Sequence, residues 1–228
     1  MSMNSQTANF PKAKQVFVAG GTGYMGQRLI TRLVQCGHHV RALARAGSES
    51  RLPTGCTHVI GNALDAATYD TQVPPCDTFV HLVGVSHPSP AKAELFRSVD
   101  MASLQAAVAA AAQAGISHFV YVSVARPAPV MQAYQQVRAE CERLIEASGM
   151  SATILRPWYV LGPGHRWPYA LIPFYWLMAR IPKFREGAQR LGLVTLNQMI
   201  QALQAAVENP ATGVRIVDVP AIRAAALF

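Results

Sequence analysis

Gly20-Gly21-Thr22-Gly23-Tyr24-Met25-Gly26 is the stretch on which the reading of this 228-residue chain turns. It follows a short β-branched and aromatic run, Gln15 to Ala19. It precedes Met25 to Cys36, where Met25, Leu29, Ile30, Leu33 and Val34 recur at helical spacing. The glycines therefore sit in the turn of a strand–turn–helix unit. Gly21, Gly23 and Gly26 make a GxGxxG pattern, and Gly20, Gly23 and Gly26 make GxxGxxG. Without side chains the backbone can approach a pyrophosphate, while the helix N-terminus offers unpaired N–H groups and a positive dipole end. GxGxxG alone is a weak signal, but between a strand and a helix it is a strong one. The plainer account is a tight turn in an α/β protein that binds nothing there.

Working outward, strand-like and helix-like segments alternate. His39 to Ala44 and Thr57 to Ile60 read as strands, and Thr78 to Val85 is a nearly continuous apolar run, as in a strand buried on both faces. Met101 to Ala114 is Ala-rich and helical by propensity, and ends at Gly115. His118 to Val124 reads as a strand, Tyr134 to Ser148 as a helix ended by Gly149, and Ala152 to Leu155 as a strand. A helix near Asn197 to Glu208 leads to a last strand, Val214 to Val219. The pattern predicts an α/β fold: a Rossmann-type doubly wound parallel sheet with a small C-terminal lobe. Residues 1–14 read as a flexible leader and 15–228 as a single domain. Residues 156–192, rich in Pro and aromatics, form most of a small substrate or lid lobe in this reading.

Composition narrows the class. Hydrophobic residues make up 51% and charged residues 14%, which excludes a disordered chain. Twenty Lys and Arg against 12 acids give +8, favouring anionic partners, but no basic run of the nucleic-acid type appears, so no nucleic-acid partner is expected. Cys36, Cys56, Cys76 and Cys141 form no CxxC pair, and the seven histidines show no ligand spacing, so no metal is expected. Neither a secretory signal nor a membrane span is legible, and a cytoplasmic location is expected.

The end of the second strand bears on the cofactor. An acid about 20 residues past the glycines would accept from the 2′-OH of NAD. Here the strand runs Val40-Arg41-Ala42-Leu43-Ala44-Arg45, with no acid until Glu49. A guanidinium at Arg45 suits a 2′-phosphate, so NADP is the preferred cofactor, with NAD the other one the turn admits. A solvated strand-end charge is the alternative for Arg45.

With these residues in place, the chain resembles the short-chain dehydrogenase/reductase superfamily, in its extended and atypical branches. These include the NAD-dependent epimerase/dehydratase-like and NmrA-like NAD(P)H-binding proteins. The resemblance runs from Val16 to about Pro220. It implies that the whole turn, Gly20, Gly21, Thr22, Gly23, Tyr24, Met25 and Gly26, binds the dinucleotide. Gly61-Asn62-Ala63-Leu64-Asp65 resembles the family's GDxxD segment, placing Asn62 and Ala63 near adenine. Val80-His81-Leu82-Val83-Gly84 resembles the segment along the cofactor, which implicates Leu82, Val83 and Gly84. Leu155-Arg156-Pro157 with Val160-Leu161-Gly162-Pro163-Gly164 resembles the RP…VxGPG motif near the nicotinamide, which implicates Pro157 and Val160. Val120-Tyr121-Val122-Ser123 resembles the segment ending in the active-site serine.

The family's Tyr-x-x-x-Lys pair becomes Tyr134-Gln135-Gln136-Val137-Arg138 here. The resemblance makes Ser123, Tyr134 and Arg138 the catalytic set, with Arg138 also on the nicotinamide ribose. Arginine for lysine is not a conservative change, because the planar fork differs from an ammonium in shape and reach. Asp100 sits where many members carry Asn. Only about seventy residues follow Arg156, which leaves little room to enclose a nucleotide-sugar.

Trp158, Tyr159, Trp167, Tyr169, Phe174, Tyr175, Trp176 and Phe184 crowd one segment. As a cleft they would suit a flat apolar substrate such as a quinone or aromatic ketone. As an exposed patch flanked by Arg166, Arg180, Lys183 and Arg185, the segment 158–185 would suit a peripheral membrane or protein partner. As a simple cap on the sheet it would do neither. Two functions stay open: an NADP-dependent oxidoreductase on a small or flat apolar carbonyl or quinone, and a non-catalytic NAD(P)H-binding redox sensor or assembly/accessory protein.

Overall fold

A computed structural model of the protein describes residues 12–86, 88–163, 187 and 190–225. Most of the leader, His87, and the aromatic and basic residues from His165 to Arg185 lie outside the described residues.

Seven parallel strands form one sheet: β1 (Gln15–Ala19), β2 (His39–Ala44), β3 (Thr57–Ile60), β4 (Thr78–His81), β5 (His118–Val122), β6 (Ser151–Leu155) and a late strand, Val214–Val217. The spatial order is β3-β2-β1-β4-β5-β6 followed by Val214–Val217, and every pairing is parallel. This is the Rossmann-type sheet expected from the sequence. Helices flank it: α1 (Tyr24–Gln35), a one-turn α2 (Ala93–Leu95), α3 (Ala102–Gln113), α4 (Gln132–Ala147), α5 (Leu196–Glu208) and α6 (Val219–Ala224).

Period-two alternation along the strands sorts side chains into two cores. Val16, Val18, Val80 and Val120 face Leu29, Ile30 and Leu33 of α1 and Met199 and Leu203 of α5. Phe17, Phe79, Phe119 and Tyr121 face Leu104 and Ala107 of α3 and Val137, Cys141 and Ile145 of α4. The rings of Phe17, Phe79 and Phe119 form a ladder across neighbouring strands at 4.9 and 5.2 Å. The small side chains of the Ala-rich α3 let that helix lie close to the ladder. Both faces are covered, which is why β1, β4 and β5 read as almost unbroken apolar runs.

The chain departs from the expected elements at several places. β4 stops at His81 rather than Val85, because Val85 turns its N–H to Asp100 Oδ1 at 3.0 Å instead of to a strand. The helix expected from Met101 is preceded by α2 and by π-helical Phe96–Met101. Tyr159–Leu161 (β7) and Leu193–Thr195 (β8) pair in parallel as a separate two-stranded sheet, so Val214–Val217 is β9. β9 also ends two residues before the expected Val219. There α6 starts, with Asp218 accepting from the Ala221 N–H at 3.1 Å and Pro220 in the first turn.

β1 lies between β2 and β4, so the chain's crossovers diverge on either side of it. In such sheets a ligand sits outside the carboxyl ends of the strands at this switch point. The glycine turn occupies that place.

Candidate functional site

The turn is built by the backbone. Gly20 has φ +88°, a left-handed conformation that suits glycine, and a Cβ there would stand 2.8 Å from the Leu82 carbonyl carbon. The first turn of the sheet thus rests against the segment after β4, across the switch point. A Cβ on Gly26 would collide with the Gly20 carbonyl oxygen and lie 2.9 Å from Gly21 Cα. One on Gly21 would press into Ile30 and Leu52. Gly23 differs: its surroundings are open except for the Gly20 oxygen at 3.2 Å. It is the N-cap of α1, with no side chain capping the helix and no acid in the first turn. The N-terminal N–H groups and the dipole end are left for an anion.

Thr22 is held from outside the turn. Its carbonyl accepts from Arg51 Nη2 at 3.1 Å and from Gln27 Nε2 at 3.3 Å. The Tyr24 ring carries the Arg28 guanidinium 4.5 Å from its centroid, and its hydroxyl packs where a Cβ on Gly162 would fall. The turn and the VxGPG-like segment are therefore in contact. Arg45 directly follows β2 and is exposed. Asn62 is exposed too, and its Oδ1 accepts from the Leu64 N–H at 3.1 Å.

Tyr134 and Arg138 are brought together on α4, one helical turn apart, with the guanidinium 5.0 Å from the Tyr134 ring centroid. Arg138 is buried. It donates to Asp100 Oδ1, Tyr121 Oη and the Val122 carbonyl, each at 2.9 Å. Burial works against its charge, and Tyr121, Tyr134 and Asp100 more than offset that, holding its pKa well above the ordinary range. Burial pushes the Tyr134 phenol above its ordinary value, with Arg138 pulling the other way. Tyr134 is thus a protonated phenol at neutral pH. Gly84 lies directly over the ion pair: a Cβ there would be 2.5 Å from Arg138 Nη2 and 2.6 Å from Asp100 Oδ1.

Ser123 belongs to a second cluster. Its hydroxyl, buried at the end of β5, donates to Glu142 Oε1 at 2.5 Å. Glu142 also accepts from Arg156 Nε at 3.0 Å, from Arg156 Nη2, and from Arg126 Nη2. Burial favours the neutral acid there, but the bonds from Arg156, Ser123 and Arg126 outweigh it and lower the Glu142 pKa. Sequence reasoning singled out neither Glu142 nor Arg126 nor Tyr121. The signal for Glu142 was available: it follows Arg138 by one more helical turn, on the face that carries Tyr134.

Residues 20–166 match a family model described as NAD(P)H-binding. The chain belongs to the NAD(P)H-binding family. A 4-hydroxy-2-methyl-3-oxo-4-farnesyl-3,4-dihydroquinoline-1-oxide ketoreductase of Stigmatella aurantiaca is 26% identical over 65% of this chain and 51% of its own length. A ceramide reductase of Caulobacter vibrioides is 26% identical over 87% of this chain and 62% of its own. This NAD(P)H-binding chain thus spans about half to two thirds of the lengths of those two relatives. The enzyme WbmH of Bordetella bronchiseptica, solved with NAD+, superimposes with a TM-score of 0.66 at 20% identity, covering 89% of this chain and 74% of that one. At that identity the likeness concerns the fold. The extended and atypical short-chain dehydrogenase/reductase likeness seen in the motifs agrees with the family model and with the two reductase relatives. Among the described residues, no helix is long and apolar enough to cross a membrane.

Proposed function

We propose that this chain is an NADP-dependent oxidoreductase of the short-chain type that reduces a small or flat apolar carbonyl or quinone in a reducing, cytoplasmic setting. The observation that carries the reading is the Tyr134–Arg138 pair beside the switch-point crevice: a protonated phenol against a fixed positive charge. The uncapped N-terminus of α1 and the left-handed turn at Gly20 fit a pyrophosphate. The residues of the turn, with Asn62, Ala63, Leu82, Val83, Gly84, Pro157 and Val160, are assigned to hold the dinucleotide, and Arg45 to pair with its 2′-phosphate.

A nicotinamide held there would supply hydride to the substrate carbon. Tyr134 gives its proton to the substrate oxygen, and Arg138 stabilises the phenolate left behind until solvent reprotonates it. Ser123 is assigned to hold the substrate oxygen, and must release Glu142 to donate to it. The segment 156–192 is assigned as the lobe over the strand ends. The reductase relatives act, by name, on a quinoline oxide and a ceramide, which supports an apolar carbonyl class. The four cysteines are all unpaired, in keeping with a reducing compartment.

A second reading, a non-catalytic NAD(P)H sensor or accessory protein, is favoured by one observation: Ser123 and Arg138 both spend their donors on the protein's own groups. Oxidation of NADPH across a panel of carbonyls and quinones separates the two. The oxidoreductase reading expects turnover in the wild type that Tyr134→Phe abolishes while NADPH still binds. Bound NADPH with no turnover in either protein establishes the sensor, and turnover undiminished by Tyr134→Phe removes Tyr134 as proton donor.

A further inference from the structure

A cleft of about 630 Å³ runs along the outer face of α1. Arg51, Leu52 and Pro53 form one wall and Leu196, Asn197 and Ile200 of α5 the other. Its volume is that of a small-molecule site. The buried side chains of Leu52, Leu196 and Ile200 give it an apolar floor. Arg28, Arg32 and Arg51 line it, and among the described residues no Asp or Glu does.

The three guanidinium groups are held in place without being neutralised. Arg28 donates to the Tyr24 carbonyl at 2.8 Å, Arg32 to Gln204 Oε1 at 2.7 Å, and Arg51 to the Thr22 carbonyl at 3.1 Å. Each partner is a neutral oxygen. Arg97 contrasts with them, forming a two-pronged pair with Glu140, whereas Arg41 and Arg215, like the cleft arginines, donate to neutral oxygens. Arg28 and Arg32 stand one helical turn apart, a spacing at which like charges repel. Cations oriented before binding, and short of counter-charge, lose little on meeting an anion. Guanidinium forks match phosphate and carboxylate oxygens in pairs.

From this we infer that the α1–α5 cleft binds a compact multivalent anion of the phosphate or carboxylate type, at a site separate from the dinucleotide's. Arg28 and Arg32 are its main contacts, and Arg51 connects it to the glycine turn through Thr22.

The test titrates inorganic pyrophosphate, and separately citrate, into the full chain by calorimetry, with NADPH already at saturation so that the glycine turn is filled. Arg28→Ala/Arg32→Ala is compared with Arg97→Ala/Arg143→Ala, which removes the same charge from the opposite face of the sheet. The expected result is one-to-one binding of at least one anion. It should weaken at least tenfold in the first variant and less than threefold in the second, with unchanged thermal midpoint and NADPH affinity in the first. Failure of both anions to bind the saturated protein overturns the inference, as does equal weakening by the two variants. If NADPH itself does not bind, the same titrations run on the unliganded Gly23→Val protein, whose glycine turn is blocked. They are read by the same two outcomes, so a failure of the cofactor reading stays distinct from a failure of this one.

Discussion

Arg138 offers its guanidinium to three oxygens at once, those of Asp100, Tyr121 and Val122, and does so inside the protein. An ammonium is a point charge on a flexible stem and cannot span the same three acceptors. Arg138→Lys is therefore expected to lower stability by about 1.5–3 kcal/mol, the worth of a charged hydrogen bond left unmade. Arg138→Met leaves the buried Asp100 without its counter-charge, with the Val85 N–H still donating to it, and should cost about 3–5 kcal/mol. Urea unfolding of the three proteins checks the ranking, and an Arg138→Lys protein as stable as the wild type would show that the fork is dispensable. Arg45 is the contrasting case, an exposed side chain that pairs with no acid among the described residues. Its removal should leave stability alone but cut the preference for NADPH over NADH roughly tenfold to a hundredfold, the range expected for one charge-assisted contact. Equal wild-type affinities for the two cofactors would reduce Arg45 to a surface charge.

At the scale of elements, the glycine turn separates folding from binding. Gly26 has no room for a methyl group, because the added carbon would meet the backbone of Gly20 and Gly21. Gly26→Ala should therefore destabilise the fold by about 1–3 kcal/mol. Gly23 has an extended backbone that any residue adopts, with only the Gly20 oxygen near. Gly23→Val should fold at close to the wild-type thermal midpoint and bind either dinucleotide at least tenfold more weakly. Unchanged calorimetric affinity in that folded variant would remove the turn from the binding site. The turn was legible because its signal is local: glycines at fixed spacing between two periodic runs. The strands were legible because burial on both faces writes itself as apolar runs, and β1, β2 and β3 fall where the sequence put them. What escaped has distant causes. β4 ends early because Asp100, far along the chain, takes the Val85 N–H. β7 and β8 are three residues each and are defined only by one another. The pairing of Tyr134 with Arg138 follows from helical spacing alone, whereas the diversion of Ser123 to Glu142 needs α4 packed against the ends of β5 and β6.

For the whole molecule, two histidines on the central strands tie stability to pH. His81 ends β4 and His118 begins β5, and both are buried. Burial, with Arg138 adding to it, pushes the His81 pKa down to about 3. Burial, with Arg215 and Lys14 adding and Asp77 opposing, pushes His118 down to about 4. In the unfolded chain both return to an ordinary value of about 6.5. Between these limits the unfolded state binds protons that the folded state refuses, so stability is fully present above pH 6.5 and falls as the pH drops. Each histidine contributes up to about 1.4 kcal/mol per pH unit across that window. Glu142, its pKa lowered in the fold, also loses stabilisation in acid, but at pH values below the ordinary glutamate range. Asp100, its pKa raised by burial, works the other way by taking up a proton in the fold, so the decline from about pH 4.5 to 6.5 comes from the histidines. Because β4 and β5 pair directly at the centre of the sheet, protonating either ring means opening the core, and the effect should appear in the global transition. His81→Gln and His118→Gln keep a polar group near Ser103 and Thr153 but cannot titrate. The urea midpoint should decline steeply with acidification in the wild type, about half as steeply in each variant, and hardly at all in the double variant. A double variant that keeps the wild-type slope would assign the acid sensitivity to other groups.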